Sequence, residues 1–384
     1  MKLGEPLERG IVLLLLSALL TSAAAFLAFR APNPVQLSTA AVQVHSDSFP
    51  CLDLVTSPDG KTMAFSSNRS GSFDIWIMNI DGRHLTRLTY LKGDERWPTF
   101  DPAGRLVAFV NSVQGSSDLY VVDTASLRSS LVDRHSVIGP PAWSPDGRRL
   151  AYSVSDGGKA VIYLLSIDTD VKEVISVPSV NCSDPSWSPD STKIAFTACN
   201  ESTSHIWTYD CSNKRVLQVT RDNGWQKWPK FGKDQNEIAY LCDSSGSWSV
   251  WIELLNESRS YDALVPSAEL PLSQLQPPSL QSDSKFEWGF NYTSVLIFTG
   301  TTASQDQILV AEFGKKIFTE VGESTLWFDG PLVTAVSVGD GVNVLSCTWG
   351  PRSNQILASV QDGDAFRVLL LPYVSVAPVP RGYG

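Results

Sequence analysis

The sequence predicts an all-β protein built from repeated four-stranded sheets, and three observations support this fold class. Twelve Trp, 26 Gly and 23 Pro occur in 384 residues, which is typical of many short strands joined by turns. A short turn motif recurs about every 44 residues, which is the length of a four-stranded repeat. After the first thirty residues, helical periodicity never extends beyond a few residues.

The recurring turn motif is Ser-Pro-Asp-Gly or a close variant of it. Its clear copies begin at residues 57, 101, 144, 188 and 232, and two looser copies begin at 289 and 350. Seven residues after each clear start stands an Ala followed by Phe or Tyr, and nineteen residues after it stands Trp or Tyr. Matching columns of this kind indicate one structural unit copied along the chain.

Each unit is predicted to be a sheet of four short strands. In the first unit, one strand enters the turn at Ser57–Gly60, where Pro fixes φ and Gly tolerates a positive φ. A second strand carries the Ala-aromatic pair, a third spans Asp74–Asp81 and a fourth spans Leu85–Thr89. Because such a sheet cannot bury both faces alone, the units must stack, which predicts a single β-propeller.

The motif W-SPDG, followed by (I/L)-A-(F/Y) and D-(I/L)-(W/Y)-(V/I), resembles the TolB-type propeller repeat. Related repeats build the propellers of dipeptidyl-peptidase and prolyl-oligopeptidase relatives. The resemblance covers about Ser57–Tyr373 and is clear through Trp251. It implies a scaffold that binds partner proteins of the bacterial cell envelope, as TolB-type relatives do.

The expected number of blades is seven, with six as the alternative that TolB-type domains typically show. Seven motif copies can be counted, and the last copy has three evident strands. Gln36–Val44 is predicted to supply the fourth strand and to close the ring by pairing the chain ends. The propeller would then span residues 31–373, with a C-terminal tail at 374–384 and a protruding loop at Pro271–Ser284.

Residues 1–30 are predicted to be a signal peptide or a signal anchor. Ile11–Phe29 carries no charge and lies at the lower edge of membrane-spanning length. A secretory signal cleaved near Ala25 or Ala28 is favoured over an uncleaved anchor or a buried helix. The protein is then secreted or periplasmic, and it contacts a membrane only if this segment is not cleaved.

Six cysteines and five glycosylation sequons agree with export. The turn at Pro189–Thr192 sets a hairpin register that places Cys182 opposite Cys199, which predicts a cross-strand disulfide. Cys51 is the candidate partner of Cys347, and free buried thiols are the alternative to both bonds. The candidate glycosylation sites are Asn68, Asn181, Asn200, Asn256 and Asn291.

Common catalytic and cofactor motifs are missing from the sequence. His45, His84, His135 and His205 share no metal-ligand spacing, and the Asp-Gly turns lack the spacing of a calcium-binding loop. No G-x-S-x-G elbow, P-loop or dinucleotide fingerprint occurs. A net charge of −10 disfavours duplex nucleic acid as a partner. We expect no metal or cofactor, and an enzyme is the less favoured class.

The candidate ligand-binding residues precede the first strands of the units, where the TolB-type resemblance places one mouth of the central channel. Mixed charge together with exposed Trp suits a peptide or a glycan better than a lipid. Packing of these aromatic side chains between blades is the alternative. The candidates are Glu95, Arg96, Trp97, Asp184, Trp225, Lys227, Trp228, Glu287 and Trp288.

Three functions follow from these features. The first is a non-catalytic, exported propeller that binds a protein or peptide at the channel mouth. The second is a carbohydrate-binding protein or carbohydrate-active enzyme that uses the channel, and the third is a lone propeller from a peptidase lineage. A catalytic site would gather acidic or His groups with perturbed pKa values at one mouth, whereas a scaffold would present a broad, mostly neutral patch.

Overall fold

All regular elements that the structure describes are β-strands, as predicted. The structure is a computed structural model that describes residues 41–134, 136–221, 223–232, 235–243, 248–255, 259–262, 286–288, 295–302, 305–312, 316–321, 324–329, 332–336, 338, 342–350 and 355–372. Among these residues no helix has the length and apolar character needed to cross a bilayer. Ile11–Phe29, Pro271–Ser284 and the tail at 374–384 lie outside them.

The strands are short, and most contain between four and eight residues. In chain order they are β1 (Val42–Asp47), β2 (Leu52–Thr56), β3 (Thr62–Ser67), β4 (Asp74–Asn79), β5 (Thr86–Arg87), β6 (Asp94–Phe100), β7 (Leu106–Val113), β8 (Ser116–Asp123), β9 (Ser129–Asp133), β10 (Ala142–Trp143), β11 (Arg149–Asp156), β12 (Lys159–Ser166), β13 (Lys172–Ile175), β14 (Asn181–Trp187), β15 (Lys193–Cys199), β16 (Ser204–Asp210), β17 (Arg215–Gln218), β18 (Gln226–Phe231), β19 (Glu237–Cys242), β20 (Ser249–Leu254), β21 (Arg259–Asp262), β22 (Phe286–Trp288), β23 (Val295–Thr302), β24 (Gln305–Glu312), β25 (Lys316–Val321), β26 (Ser324–Asp329), β27 (Leu332–Val336), β28 (Asn343–Trp349), β29 (Gln355–Asp362) and β30 (Ala365–Pro372).

The described strands form seven four-stranded antiparallel sheets, which we number in the order of their first strands. Sheets 1 to 5 are β2–β5, β6–β9, β10–β13, β14–β17 and β18–β21. Sheet 6 contains β22, β23, β24 and β27, and its longer repeat is explained by the hairpin β25–β26 before the last strand. Sheet 7 contains β28, β29, β30 and β1. Seven sheets agree with the favoured number of blades, and the blade count itself stays a prediction.

Sheets 1 to 5 pack face to face in sequence order, sheet 6 packs against sheet 7, and sheet 7 packs against sheet 1. Contacts join the first strands β28, β2, β6, β10, β14 and β18 in turn, which is the arrangement expected where first strands surround an axis. The Ala-aromatic pair is fully buried in the second strands of sheets 1 to 5, as predicted for Ala64–Phe65 and its four copies. In these sheets an aromatic side chain fills the space between sheets, and the small Ala allows the close approach of the next sheet.

The chain ends close the ring, as predicted, with the closing strand slightly further along the chain. β1 pairs with β30 in the antiparallel direction, with Val42 opposite Leu370 and Asp47 opposite Phe366. A buried cluster then joins sheet 7 to sheet 1, with Phe65 on one side and Val368 on the other. This pairing covers the edge strand that an open ring would expose.

Hydrogen bonds within each turn account for the repeated Ser-Pro-Asp motif. In the first copy the Ser57 hydroxyl donates to Asp59 Oδ1 at 2.7 Å, and the Lys61 amide donates to the same oxygen at 3.0 Å. These bonds lower the pKa of Asp59, with the bond from Ser57 contributing most. The turns at Ser144 and Ser188 repeat the pattern. The Asp side chains therefore form hydrogen bonds that stabilise the turns, as expected from the sequence.

The predicted register of Cys182 and Cys199 is wrong, and a β-bulge is the reason. Trp187 does lie opposite Ile194, but the register shifts between Ser183 and Ser186. Beyond this bulge Cys182 lies opposite Ala198, so that the two thiols occupy adjacent register positions on opposite faces of the sheet. Neither the Cys182–Cys199 bond nor the Cys51–Cys347 bond is present among the described residues.

Gly82 carries the tightest backbone contact at the ring closure. It lies in the turn after β4 with φ +83°, and a Cβ there would lie 2.0 Å from the carbonyl oxygen of Val44 on β1. We expect Gly82→Ala to lower the free energy of unfolding by about 3 kcal/mol or more, because overpacking adds to the strain of the left-handed backbone. Urea unfolding followed by Trp fluorescence measures this loss.

Gly115 provides the matched control for this prediction. Its φ is +85°, and a Cβ there would meet no heavy atom within 4 Å. Gly115→Ala should therefore cost only the backbone strain, about 1–2 kcal/mol. Equal losses for the two variants would show that the approach of Val44 does not determine the result.

Candidate functional site

First strands in four sheets are interrupted by a β-bulge at the same place in the repeat. The residue four positions before the turn motif has a left-handed backbone there, with φ between +53° and +58°. The four residues, which we call the bulge residues, are Asp53, Trp97, Asp184 and Trp228. Bulges re-aim side chains next to functional sites, and a bulky side chain such as Trp is unusual in this conformation.

Asp53 connects sheet 1 to sheet 2 through the residues that the sequence singled out. Its Oδ2 accepts a hydrogen bond from Arg96 Nε at 2.8 Å and lies 3.4 Å from the donating amide of Trp97. The Ser66 hydroxyl donates to the same oxygen at 3.3 Å. The Arg96 guanidinium also lies 4.9 Å from the ring of Phe73. The Asp53 carboxylate is nearly buried, whereas a third of the Arg96 side chain is exposed.

Asp184 is placed in the same way between sheets 4 and 5. Its carboxylate accepts a hydrogen bond from the Ser183 hydroxyl at 2.9 Å and another from the side chain of Thr197. The Thr197 hydroxyl in turn accepts a hydrogen bond from the Trp228 amide at 3.1 Å. Burial raises the pKa of Asp184, and the positive charges of Lys227 and Lys230 act against this shift. The structure therefore brings Asp184, Lys227 and Trp228 close together.

Lys227 lies among aromatic rings as well as near Asp184. Its Nζ is 5.3 Å from the centre of the Trp228 ring and 4.4 Å from that of Trp248. Trp248 and Trp228 are half-buried, and 39% of Trp225 is exposed. The Trp225 amide donates to Asp243 Oδ1 at 2.6 Å, which fixes the backbone beside β18. The entry to β18 is thus an aromatic surface with a cation held against it.

Glu95 differs from the other candidates because its side chain has no access to solvent. Its Oε1 accepts the Leu91 amide at 2.9 Å, and its Oε2 accepts the Thr89 hydroxyl. Burial, and next the nearby Asp74 carboxylate, raise the pKa of Glu95 to about 7. Glu95 therefore accepts hydrogen bonds from groups inside the fold and does not present its carboxyl group to a ligand.

The remaining predicted residues lie at the start of sheet 6 or outside the described residues. Glu287 and Trp288 are on β22, paired with Ile297 and Leu296, and only their backbone is described. Asn181 and Asn200 are exposed and Asn68 is half-buried, whereas Asn256 and Asn291 lie outside the described residues. Within the described part of the chain, no group of three or more His, Cys, Asp or Glu residues could hold a metal ion.

Several residues of the site were not among those predicted. Asp53, Ser66 and Phe73 contribute to the first charged pair, and Lys230 and Trp248 to the second. A sequence signal for them does exist. Cys-x-Asp occurs at 51–53 and at 182–184, and each is followed one repeat later by (Glu/Gln)-(Arg/Lys)-Trp-Pro at 95–98 and 226–229.

Comparison with known proteins supports the repeat type and the fold. A family model described as "TolB beta propeller domain" matches residues 127–263. A TolB homolog of Chlorobaculum tepidum is 29% identical over 128 residues, which cover 32% of this chain and 30% of the relative. The Tol-Pal system protein TolB of Nitratidesulfovibrio vulgaris is 31% identical over 143 residues, or 35% of this chain and 32% of the relative. The chain thus spans about a third of the length of the curated relatives it matches.

Among solved structures, an oligogalacturonate lyase from Vibrio parahaemolyticus resembles the whole fold. Its TM-score is 0.62 at 13% identity, over 90% of this chain and 96% of that chain. At this identity the likeness concerns the fold alone. The protein is an all-β propeller, and the predicted resemblance of its repeats to the TolB type is confirmed.

Proposed function

We propose that this chain is an exported, non-catalytic propeller that binds a protein or peptide partner at the end where its first strands begin. The observation that carries the proposal is the set of bulge residues. They put half-buried Trp and charged side chains from different sheets at one level of the first strands. Aromatic and Arg side chains are the residue types that dominate binding energy at protein interfaces.

The curated relatives favour a scaffold over an enzyme. Matching relatives are named as proteins of the Tol-Pal system, which implies assembly with other proteins. As an export signal or an anchor, residues 1–30 would direct this chain across the membrane. The carboxyl groups Asp53 and Asp184 belong to separate sheets and each has its own cation, an arrangement suited to binding.

A glycan is the second candidate ligand. The exposed face of Trp225 beside Trp228 and Trp248 favours it, since ligand sites combine aromatic walls with a few polar groups. This candidate shares the site with the first and differs only in the ligand.

Affinity capture with variants of the bulge residues tests the proposal. The intact protein, Trp97→Ala and Trp228→Ala would be immobilised and exposed to the soluble envelope fraction of the native host, followed by identification of retained molecules. We expect a protein retained by the intact chain and lost at least about tenfold by each Trp variant, because truncating a central aromatic anchor removes about 2 kcal/mol or more.

Leu217→Ala is the matched control, because Leu217 is 49% exposed on the outer strand of sheet 4. It should retain the partner at the level of the intact chain. Retention of a glycan alone, or equal retention by all four proteins, would contradict protein binding at this end of the ring.

A further inference from the structure

The chain contains one Asn-Gly pair, and this pair lies in the connection between sheets 4 and 5. Asn223 and Gly224 come directly before Trp225 and β18, at the end of the fold where the first strands begin. Asn223 is exposed, and within the described residues neither its side chain nor the Gly224 amide makes a hydrogen bond. The fold therefore leaves a side-chain amide and the next backbone N–H available to each other.

The equivalent connection between sheets 1 and 2 shows why a Gly stands at this position. Its residues Lys92 and Gly93 occupy the same two places, three repeats earlier. Gly93 has φ +114° and Gly224 has φ +110°, a conformation that a residue with a Cβ rarely adopts. A Cβ on Gly93 would also lie 2.3 Å from the carbonyl oxygen of Ser112. The fold thus requires the Gly, and the residue before it is what differs between the two connections.

Asn in place of Lys adds an electrophile beside the Gly nitrogen. Once water has removed its proton, the Gly224 nitrogen can attack Cγ of Asn223. The new N–Cγ bond closes a succinimide ring, the bond from Cγ to the side-chain nitrogen breaks, and ammonia leaves with the displaced proton. Gly favours this closure because the absence of a Cβ lets the backbone reach the ring geometry, and a reaction within one chain needs no bimolecular encounter.

Water then opens the ring in one of two ways. Cleavage of the N–Cγ bond gives Asp in a normal backbone. Cleavage at the main-chain carbonyl carbon gives isoAsp, in which the backbone runs through the side chain and is longer by one methylene group. Both products carry a carboxylate where Asn was neutral, and neither step needs an oxidant, a metal or an enzyme.

We propose that Asn223 is a site of spontaneous deamidation and isomerisation, and that the reaction disrupts the start of β18. The Trp225 amide donates to Asp243 Oδ1 at 2.6 Å, and the Asp243 amide donates to the Trp225 carbonyl oxygen at 3.2 Å. An extra backbone atom directly before this pair changes its register. The new carboxylate also lies two residues from the amide that Asp243 binds, so that like charges repel. This inference goes beyond the proposed function, and its chemistry requires no partner.

Timed incubation of the purified full chain, followed by peptide mapping with mass spectrometry, measures the reaction. We expect Asn223 to convert to Asp and isoAsp, and to do so faster at pH 8 than at pH 6 because base removes the Gly224 proton. Asn200 is the internal control, since it is also exposed but its oxygen accepts the amides of Ser202 and Thr203 at 2.8 Å. Asn223 should convert at least about tenfold faster than Asn200, which corresponds to a barrier lower by about 1.4 kcal/mol.

Asn223→Lys is the matched variant, because it recreates the pair Lys92-Gly93 of the equivalent connection. It should fold as the intact chain does and show no conversion at position 223. The isoAsp form of the intact chain can be separated by ion exchange, since it carries one more negative charge. Hydrogen exchange in the peptide that covers Trp225 and β18 should be at least about tenfold faster in this form than in the unreacted chain, because exchange follows local opening.

Three results would overturn the inference. They are conversion of Asn223 no faster than that of Asn200, formation of Asp without isoAsp, which would exclude the ring, and equal hydrogen exchange at β18 in the isoAsp and unreacted forms. All of these measurements use the chain alone. Loss of protein capture in Trp97→Ala and Trp228→Ala is a separate result, so that either the proposed function or this inference can fail while the other stands.

Discussion

Replacing Asp47 by Asn is expected to lower the free energy of unfolding by about 3 kcal/mol. Asp47 lies on β1, the strand that closes the ring, and its Oδ2 is 3.1 Å from Arg69 Nη1 in sheet 1. Only 7% of the Arg69 side chain is exposed. The variant keeps the shape of the side chain but leaves a buried guanidinium without its counter-charge.

Arg69 cannot move to water without breaking contacts inside sheet 1. Its guanidinium lies 5.4 Å from the ring of Phe65 and 5.0 Å from that of Trp76, and its Nε donates to Ser67 at 3.1 Å. The cost of the missing carboxylate must therefore appear as lost stability. Urea unfolding at pH 7 measures it.

Asp362→Asn is the control, because the Asp362–Arg367 pair joins strands of the same sheet but both side chains are about two-fifths exposed. It should cost less than about 1 kcal/mol. The double variant Asp47→Asn with Arg69→Met should recover much of the loss, since it removes the uncompensated charge. Equal losses for Asp47→Asn and Asp362→Asn would contradict the importance of this ion pair for ring closure.

The repeat could be predicted from the sequence because it is local. The turn at Ser57 is fixed by Pro, Asp and a hydroxyl within five residues, and the buried pair Ala64–Phe65 follows at a constant distance. Ring closure by the chain ends could also be predicted, because the last repeat lacked a strand and an exposed edge must be covered.

The bulges could not be predicted, and the largest errors come from them. A left-handed residue is usually marked by Gly or Asn, but here Trp97 and Trp228 adopt it. The unrecognised bulge in β14 shifted Cys182 away from Cys199 by one position. In this conformation the Trp amide donates a hydrogen bond to the preceding sheet, which no local pattern reveals.

The surroundings of the candidate residues could be predicted only in part, for a related reason. Sequence shows which residues are charged but not which are buried, so that Glu95 was grouped with Arg96 and Trp97 although it points into the fold. Asp53 was missed because its partner Arg96 lies one repeat away, and only the stacking of sheets joins them. Comparing each repeat with the one three repeats later would have singled out Glu95 and Asp53, since Gln226 and Asp184 stand at the matching positions.

Glu95 and Gln226 also support the second large prediction, which concerns pH. Thr89 donates to Glu95 as Thr220 donates to Gln226, and the amides of Ile75 and Ile206 donate to these two hydroxyls at the same 2.9 Å. The neutral amide of Gln thus occupies the place of the carboxyl group. This agrees with the raised pKa of Glu95, about 7, because burial favours the uncharged acid.

The direction of the pH dependence follows from this shift. In the unfolded chain Glu95 loses its proton near pH 4.5, whereas the folded protein holds it until about pH 7. Stability from this group is therefore complete below about pH 4.5 and falls as the pH rises to 7, by on the order of 3 kcal/mol in total. Glu95→Gln should abolish this fall and should be more stable than the intact protein at pH 8, with little difference at pH 4.

The reciprocal variant Gln226→Glu is the matched test of the cause. It should create a new loss of stability between pH 4.5 and 8, in a site with the same hydroxyl donor. The loss should be smaller than that due to Glu95, because the two sites have different neighbours. The Asp74 carboxylate and its partner Arg87 lie near Glu95. At the matching place beside Gln226, His205 Nδ1 lies 3.4 Å from the side-chain oxygen. Thermal unfolding of the three proteins from pH 4 to 8 measures both effects. Parallel pH profiles for Glu95→Gln and the intact chain would mean that Glu95 is ionised in the fold, and that burial is offset there by its hydrogen bonds.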